Sequence, residues 1–176
     1  MNINEAIEKI SSSNDLEKEE IKNVFLSIMK NECNDAEIIS FLMTLKTKGE
    51  SVEEITGAAE VLREMSQKLE LPSDNLVDTC GTGGDGQNTF NISTASAIVA
   101  AAAGVKIAKH GNKSISSKSG SADLLEHAGI NIDLDENQSK KCFEDHGITF
   151  MFAPKYHKAM KNVAKVRKSI KTSTIF

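Results

Sequence analysis

Residues 76–108 read LVDTCGTGGDGQNTFNISTASAIVAAAAGVKIA and contain one complete strand–helix–strand unit. Short apolar runs at Leu76 to Thr79 and at Val105 to Ala108 predict strands, and an alanine-rich helix from Ser93 to Ala103 joins them. A third run, Ile148 to Phe152, predicts another strand. Strands that alternate with helices indicate a parallel sheet. We expect the alanine-rich helix to be well buried, because small side chains allow close packing.

The residues before this unit have a different pattern. From residue 1 to about 70, apolar side chains recur at three- and four-residue steps, which predicts four helices. Gly49 is a plausible terminator of the third helix, and Ser51 with Glu54 forms a capping-box pattern for the fourth. Further helices are predicted at Ala122 to Ala128, Glu136 to Asp145 and Tyr156 to Ile170. The predicted fold class is therefore α/β: a small N-terminal helical domain, residues 1–70, and then a parallel-sheet α/β domain, residues 71–176.

Composition limits the possible partners and the location. The net charge of −4 gives no general basic field, so we expect neither a nucleic-acid nor a membrane partner. No run of 18 apolar residues occurs and the N-terminus lacks the pattern of a signal peptide, which together predict a cytoplasmic protein. Cys33, Cys80 and Cys142 form no CxxC pair, so their spacing suggests neither a disulfide framework nor a zinc site. We expect them to be small buried side chains, and Cys80 is not expected to be a nucleophile.

The glycine-rich loop GTGGDG, residues 81–86, follows the first strand and is typical of phosphate binding. Gly81, Gly83 and Gly86 also fit the dinucleotide pattern GxGxxG. Two features oppose a dinucleotide site: the helix does not begin at the last glycine, and no acidic residue lies about 20 residues further on. A Walker loop is excluded because no Gly-Lys-Ser/Thr follows. The loop therefore favours a phosphate ligand of another kind.

Two further segments could bind anions. Asn91 to Thr94 places amide and hydroxyl side chains where a helix begins, although Ser93 or Thr94 could equally be a simple helix cap. Lys109 to Ser121 combines three lysines, five serines and two glycines between a strand and a helix. This composition suits phosphate oxygens, but it is also typical of a solvated flexible loop. Because ligands of parallel sheets gather at the carboxyl ends of strands, two such neighbouring loops favour a shared anion site.

Taken in order, the motifs resemble those of the anthranilate phosphoribosyltransferase family. They are GTGGDG, TFNIST, KHGN followed by SISSKSGSADLLE, and FAPKYHKAMKNVAKVR, and they extend from about Asp78 to Arg167. The helical N-terminal segment is similar to the small helical domain of that family, so the resemblance covers nearly the whole chain. It implies a nucleoside phosphorylase/phosphoribosyltransferase-like fold, of which this chain would be a C-terminally truncated form.

The resemblance implies a site for 5-phosphoribosyl 1-diphosphate, one for anthranilate and a Mg²⁺ cofactor. Anthranilate would contact Gly81, Asn112 and Arg167, and Ser93 would help to hold the metal. No residue is assigned as a general acid or base. The implied phosphoribosyl diphosphate site consists of Gly81, Gly84, Asp85, Thr89, Asn91, Ile92, Ser93, Thr94, Lys109, His110, Gly111, Asn112, Lys113, Ser114, Ile115, Ser116, Ser117 and Ser121.

The family reaction transfers the phosphoribosyl group to the amine of anthranilate in tryptophan biosynthesis, commonly in a homodimer. In the family an adjacent Asp-Glu pair in the C-terminal half binds magnesium, and no such pair follows Arg167 in this sequence. Two alternatives therefore stay open. One is a catalytically incomplete relative or fragment that binds phosphoribosyl diphosphate and needs a partner chain. The other, ranked last, is a nucleoside phosphorylase, whose lysine-containing glycine motif differs from the one present here.

Overall fold

The computed structural model describes residues 1–72, 74–81, 90–114 and 120–175. The chain forms two compact units. One contains Met1–Ser66 together with the C-terminal residues from His157 onward, and the other is Gln67–Tyr156. Within the described ranges, no helix is both long and apolar enough to cross a membrane.

The helical unit is built from amphipathic helices that bury one face each. They are α1 (Ile3–Ser11), α2 (Lys18–Met29), α3 (Asp35–Lys48), α4 (Val52–Glu64) and, from the C-terminal segment, α9 (Lys161–Ile170). Phe25 and Phe41 meet edge to face at the centre, with ring centroids 6.3 Å apart and an interplanar angle of 74°. The predicted capping box is confirmed, because the Ser51 hydroxyl accepts from Glu54 N and a Glu54 carboxylate oxygen accepts from Ser51 N. Gly49 ends α3 with a φ of +91°, a conformation that favours glycine.

The C-terminal segment differs from its prediction in two ways. The predicted helix from Tyr156 to Ile170 is interrupted: α8 (Ala153–Tyr156) and a short 3-10 turn (Lys158–Met160) precede α9. In addition, residues from His157 onward belong to the helical unit, whereas the sequence prediction included them in the α/β domain. The reason is that Val163 and Val166 are fully buried in the same core as Phe25 and Phe41.

The second unit contains a parallel sheet, as predicted. Its strands are β1 (Leu76–Val77), β2 (Lys106–Gly111) and β3 (Ile148–Phe152), in the spatial order β1-β2-β3. Leu76 pairs with Lys106, and Ile107 pairs with Ile148. The helices of this unit are α5 (Ile92–Ala102), α6 (Ser121–His127), α7 (Glu136–His146) and α8. Ala122, Leu125, Ile132 and Phe150 form a small apolar core.

Two predictions about burial in this unit were wrong. In α5 the buried side chains are Thr94 and Ala97, whereas Ile98 is 50% exposed and Val99 is 69% exposed. The alanine-rich helix therefore packs through only one face. Cys80 was expected to be buried but is exposed, because it lies just beyond the end of β1.

Candidate functional site

The carboxyl ends of β1 and β2 lie side by side, and the first turn of α5 is bonded to the chain that leaves β1. Parallel pairing of β1 with β2 places the two strand ends at the same edge of the sheet. The Thr79 hydroxyl donates to Ser93 O at 2.7 Å. The glycine-rich loop after β1 and the predicted anion-binding segment after β2 therefore begin at the same edge of the sheet, next to the start of α5.

The N-terminus of α5 is capped by Asn91. Its side-chain oxygen accepts from Thr94 N at 3.0 Å and from the Ser93 hydroxyl at 3.1 Å. The alternative that Ser93 or Thr94 is the cap is therefore wrong for this helix. The Thr94 hydroxyl is buried and has no hydrogen-bond partner among the described residues. The Ser93 hydroxyl donates to Asn91 and accepts from Lys109, and its second lone pair can still face a ligand at the positive end of the helix dipole.

The positively charged side chain of Lys109 is buried at this edge of the sheet. The side chain is 2% exposed, and its Nζ donates to Ser93 Oγ at 3.4 Å. No carboxylate lies within ion-pair distance of Nζ in the part of the chain that the structure describes. Burial lowers the pKa of Lys109 below its ordinary value, although the nearby Asp78 and Cys80 act in the opposite direction. A buried ammonium without a carboxylate partner is an arrangement that an anionic ligand would stabilise.

Asp78 joins the ends of the two strands. Its Oδ1 accepts from Cys80 N at 2.9 Å and from His110 N at 3.2 Å. The first bond shapes the turn that leads to Gly81, and the second fixes that turn to β2. Asp78 therefore positions the entry to both predicted loops.

The base of the second loop is closed by Asp123. One carboxylate oxygen, Oδ2, accepts from Ser114 N at 2.8 Å and from Gly120 N at 3.0 Å. These two bonds lower the pKa of Asp123, that from Ser114 most strongly. Ala122 N also donates to Asn112 O at 3.2 Å. A Cβ at Gly120 would overlap Ser114 N and approach Asn112 O to 2.8 Å, so the two ends of the segment meet backbone to backbone.

The remaining predicted residues near this edge have varied surroundings. Gly111 is buried, and a Cβ there would come within 2.8 Å of the Phe150 ring. Lys113 is exposed and pairs with Glu126 at 2.8 Å. Ser121 is buried at the start of α6.

A magnesium ion fits these residues only in part. The Ser93 hydroxyl is an oxygen ligand of the type that Mg²⁺ prefers. The ammonium of Lys109 lies 3.4 Å from that oxygen and would repel a cation bound alone. Mg²⁺ usually binds through few protein oxygens together with substrate phosphates. Ser93 therefore fits as one ligand of a magnesium ion that arrives with an anion.

The predicted site residues are distributed over both units. Gly81, the first turn of α5, Lys109 to Ser114 and Ser121 lie in the α/β unit. Arg167 lies exposed on α9, in the helical unit. Gly84, Asp85, Thr89, Ile115, Ser116 and Ser117 lie outside the described residues.

Sequence reasoning missed Asp78, Thr79 and Asp123. In the sequence, Asp78 and Thr79 are simply the last residues of a predicted strand. Their bonds to His110 and Ser93 depend on the sheet register, which the sequence does not reveal. Asp123 could have been found locally, because an acidic residue three positions after Gly120 fits the third position of a helix start.

Two family sequence models match the chain. The a/b domain of a glycosyl transferase family matches residues 73–176, and the helical bundle domain of the same family matches residues 4–66. The chain therefore belongs to this glycosyl transferase family.

Within the family, the predicted resemblance to anthranilate phosphoribosyltransferase is confirmed. The enzyme of that name from Thermoanaerobacter sp. (strain X514) is 54% identical over 174 residues, which are 99% of this chain and 52% of the relative. The one from Clostridium beijerinckii is 52% identical over 177 residues, again 52% of the relative. The chain thus spans about half the length of the curated relatives it matches.

Solved structures show the same similarity. Anthranilate phosphoribosyltransferase from Thermus thermophilus superposes with a TM-score of 0.86 at 38% identity, over 97% of this chain and 52% of that one. The Saccharomyces cerevisiae enzyme in complex with PRPP and Mg gives a TM-score of 0.89 at 32% identity, over 99% and 52%. Another structure of the yeast enzyme contains 4-fluoroanthranilate. The predicted fold, a helical domain and a parallel-sheet α/β domain, is confirmed by these likenesses.

Proposed function

We propose that this chain transfers the phosphoribosyl group of 5-phosphoribosyl 1-diphosphate to anthranilate, giving N-(5-phosphoribosyl)anthranilate and diphosphate in tryptophan biosynthesis. The observation that carries the proposal is the buried Lys109 ammonium, which contacts Ser93 at the N-terminus of α5. A buried cation beside the positive end of a helix dipole suits a diphosphate. The similarity to a yeast enzyme solved with PRPP and Mg supports the same ligand.

In the proposed reaction the amine nitrogen of anthranilate attacks C1 of the ribose. The N–C1 bond forms as the bond from C1 to the diphosphate oxygen breaks, and the amine proton is released to solvent or to the departing diphosphate. Lys109 and the positive end of the α5 dipole would stabilise the charge that develops on the leaving group. Magnesium, held in part by Ser93, supplies further positive charge when bound.

Anthranilate would be held by the backbone of Gly81, the side chain of Asn112 and the guanidinium of Arg167. A guanidinium presents two parallel N–H donors to a carboxylate. A yeast structure with 4-fluoroanthranilate supports a substrate of this class. The remaining predicted residues of the two loops, both inside and outside the described ranges, are proposed to surround the ribose and the phosphates.

Calorimetric titration of phosphoribosyl diphosphate into the purified chain, with and without Mg²⁺, tests the phosphate site. We expect saturable binding in the micromolar range, about 8 kcal/mol. Lys109→Met should weaken it by about tenfold or more, because a charge-assisted hydrogen bond is lost. Lys106→Met is the matched control, since Lys106 is on the same strand but is exposed and lies over the Phe143 ring. Equal weakening by both variants, or no saturable binding by the unaltered chain, would contradict the proposal.

Anthranilate consumption, followed on the same sample, tests the transfer step. Turnover that depends on Mg²⁺ and on phosphoribosyl diphosphate is expected. Binding without turnover would instead favour the alternative of a relative that binds phosphoribosyl diphosphate without catalysis.

We also propose a homodimer that forms through the helical unit, in the cytoplasm. Val52, 79% exposed, and Ile55, 50% exposed, place two large apolar side chains on the surface of α4, where a second copy could cover them. Sedimentation equilibrium should give twice the chain mass, and a monomer at all concentrations would exclude the dimer.

The proposed cytoplasmic location rests on a separate observation, because the free thiols of the chain suit a reducing compartment.

A further inference from the structure

The end of the sheet also brings together three side chains of a different chemistry. A carboxylate oxygen of Asp78, the sulfur of Cys80 and a ring nitrogen of His110 all lie within 4.8 Å of one another. Asp78 and Cys80 follow β1, and His110 is on β2. Their separation of about 30 residues along the chain explains why cysteine and histidine spacing gave no zinc pattern. Pairing of β1 with β2 creates the cluster.

The backbone holds this cluster in place. Asp78 Oδ1 accepts from both Cys80 N and His110 N, so one carboxylate fixes the positions of the other two residues. Both bonds go to the same oxygen, and the described residues give no hydrogen bond to the second oxygen, Oδ2. That oxygen can therefore act as a ligand without loss of the bonds that hold the turn.

We propose that Asp78, Cys80 and His110 bind a soft divalent cation of the zinc class. Thiolate, imidazole and carboxylate are the ligands that zinc takes in proteins, whereas Mg²⁺ prefers oxygen ligands alone. Zinc bond lengths separate tetrahedral ligands by roughly 3.3–3.8 Å. The three atoms therefore need to approach by at most about 1.5 Å, which rotation of the side chains can supply. Asp78 and Cys80 are exposed, so a cation can enter and keep its fourth position for water. The carboxylate of Asp78 and the thiolate of Cys80 supply two negative charges, which offset the nearby Lys109 ammonium.

Binding converts the Cys80 thiol to a thiolate and releases its proton to solvent. No oxidant or further reactant is needed. The site differs from the one proposed for magnesium at Ser93 in its residues and in its ligand chemistry. It concerns cation binding alone and is tested without phosphoribosyl diphosphate or anthranilate, so it can fail or succeed independently of the proposed transfer reaction.

Cobalt and zinc titrations of the purified chain test the site. Co²⁺ should produce the charge-transfer absorption of a cobalt–thiolate bond, and one equivalent of Zn²⁺ should abolish it in the presence of excess Mg²⁺. Cys80→Ser should remove the band and weaken zinc binding by at least about tenfold, since loss of even an outer partner of a metal ligand costs that much. Cys142→Ser is the matched control, because this half-buried thiol donates to Ile148 O and lies outside the cluster.

A second measurement needs no variant. Zn²⁺, but not Mg²⁺, should slow alkylation of Cys80, mapped by peptide mass spectrometry, and should leave alkylation of Cys33 unchanged. Absence of the cobalt–thiolate band in the unaltered chain, its persistence in Cys80→Ser, or equal protection of Cys33 would each overturn the proposal.

Discussion

At the scale of single residues, Glu54 shows how a side chain with a local role acquires a long-range one. It is fully buried, and its carboxylate accepts from Leu16 N at 2.9 Å as well as from Ser51 N. Lys48 Nζ lies 2.9 Å from the same carboxylate and 2.5 Å from Asp15. The sequence predicted the contact with Ser51 because it lies three residues away. It could not predict the contacts with Leu16 and Lys48, which depend on how the helices pack.

Glu54→Ala should destabilise the helical unit by about 3–5 kcal/mol, because removal of one partner leaves Lys48 and two backbone amides without their buried acceptor. Urea denaturation measures this free energy of unfolding. Glu53→Ala is the control: Glu53 precedes it in the same first turn but is exposed, and its loss should cost below about 1 kcal/mol. Similar effects of the two substitutions would show that the ion pair contributes nothing beyond the helix start.

From the same group of residues we expect the free energy of unfolding to depend on pH in the alkaline range. Burial alone would lower the pKa of Lys48, but its hydrogen bonds to Asp15 and Glu54 raise it above the ordinary 10.5. Because the pKa is higher in the folded chain than in the unfolded chain, the contribution of Lys48 is complete below pH 10.5. It is lost as the pH rises through the folded value. As the pH rises through this range, the urea midpoint of unfolding should fall less steeply in Lys48→Met than in the unaltered chain. Parallel plots of midpoint against pH for the two proteins would show that Lys48 is not the titrating group.

At the scale of elements, the sequence predicted the positions of strands and helices better than it predicted which of their faces are buried. Apolar runs located the three strands, and cap residues such as Asn34 and Ser51 mark helix starts through bonds to nearby amides. The exposure of Ile98 and Val99 on α5 was not predicted, because composition does not indicate how many faces of a helix find a partner. The bond from Gly120 N to Asp123 follows the local pattern of a helix start, but the bond from Ser114 N could not be predicted, because Ser114 lies nine residues away.

Asp123 makes an element-scale prediction about that segment. Asp123→Ala should speed hydrogen exchange of the Ser114 and Gly120 amides by about tenfold or more, because each loses a charged acceptor. Asp123→Asn keeps an oxygen and should restore part of the protection. Asp145→Ala, which removes a carboxylate that pairs with Lys141 on the surface of α7, serves as the control. If hydrogen exchange is unchanged in Asp123→Ala, contacts other than those with Asp123 protect the amides of Ser114 and Gly120.

At the scale of the whole molecule, the chain builds a helical unit, leaves it to form the α/β unit and then returns. Val163 and Val166 of α9 are buried in the first unit, and the Asn162 side chain donates to Met29 O at 2.7 Å. Sequence order alone assigned these residues to the α/β domain, because apolar periodicity reveals a buried face but not the core that receives it. The resemblance to known motifs indicated the family and the fold, yet it did not locate this return.

The return of the chain predicts that the helical unit depends on residues more than 90 positions beyond its first segment. Val163→Thr keeps the side-chain volume but places a hydroxyl at a site with no solvent exposure, so it should destabilise the helical unit by about 1–3 kcal/mol. Val99→Thr is the control, because it makes the same change on α5 of the other unit at a position that is 69% exposed and should alter stability by less than about 0.5 kcal/mol. Denaturation followed through the environment of Phe25 and Phe41 reports on this core. If Val163→Thr and Val99→Thr unfold alike, α9 contributes no stability to the helical unit.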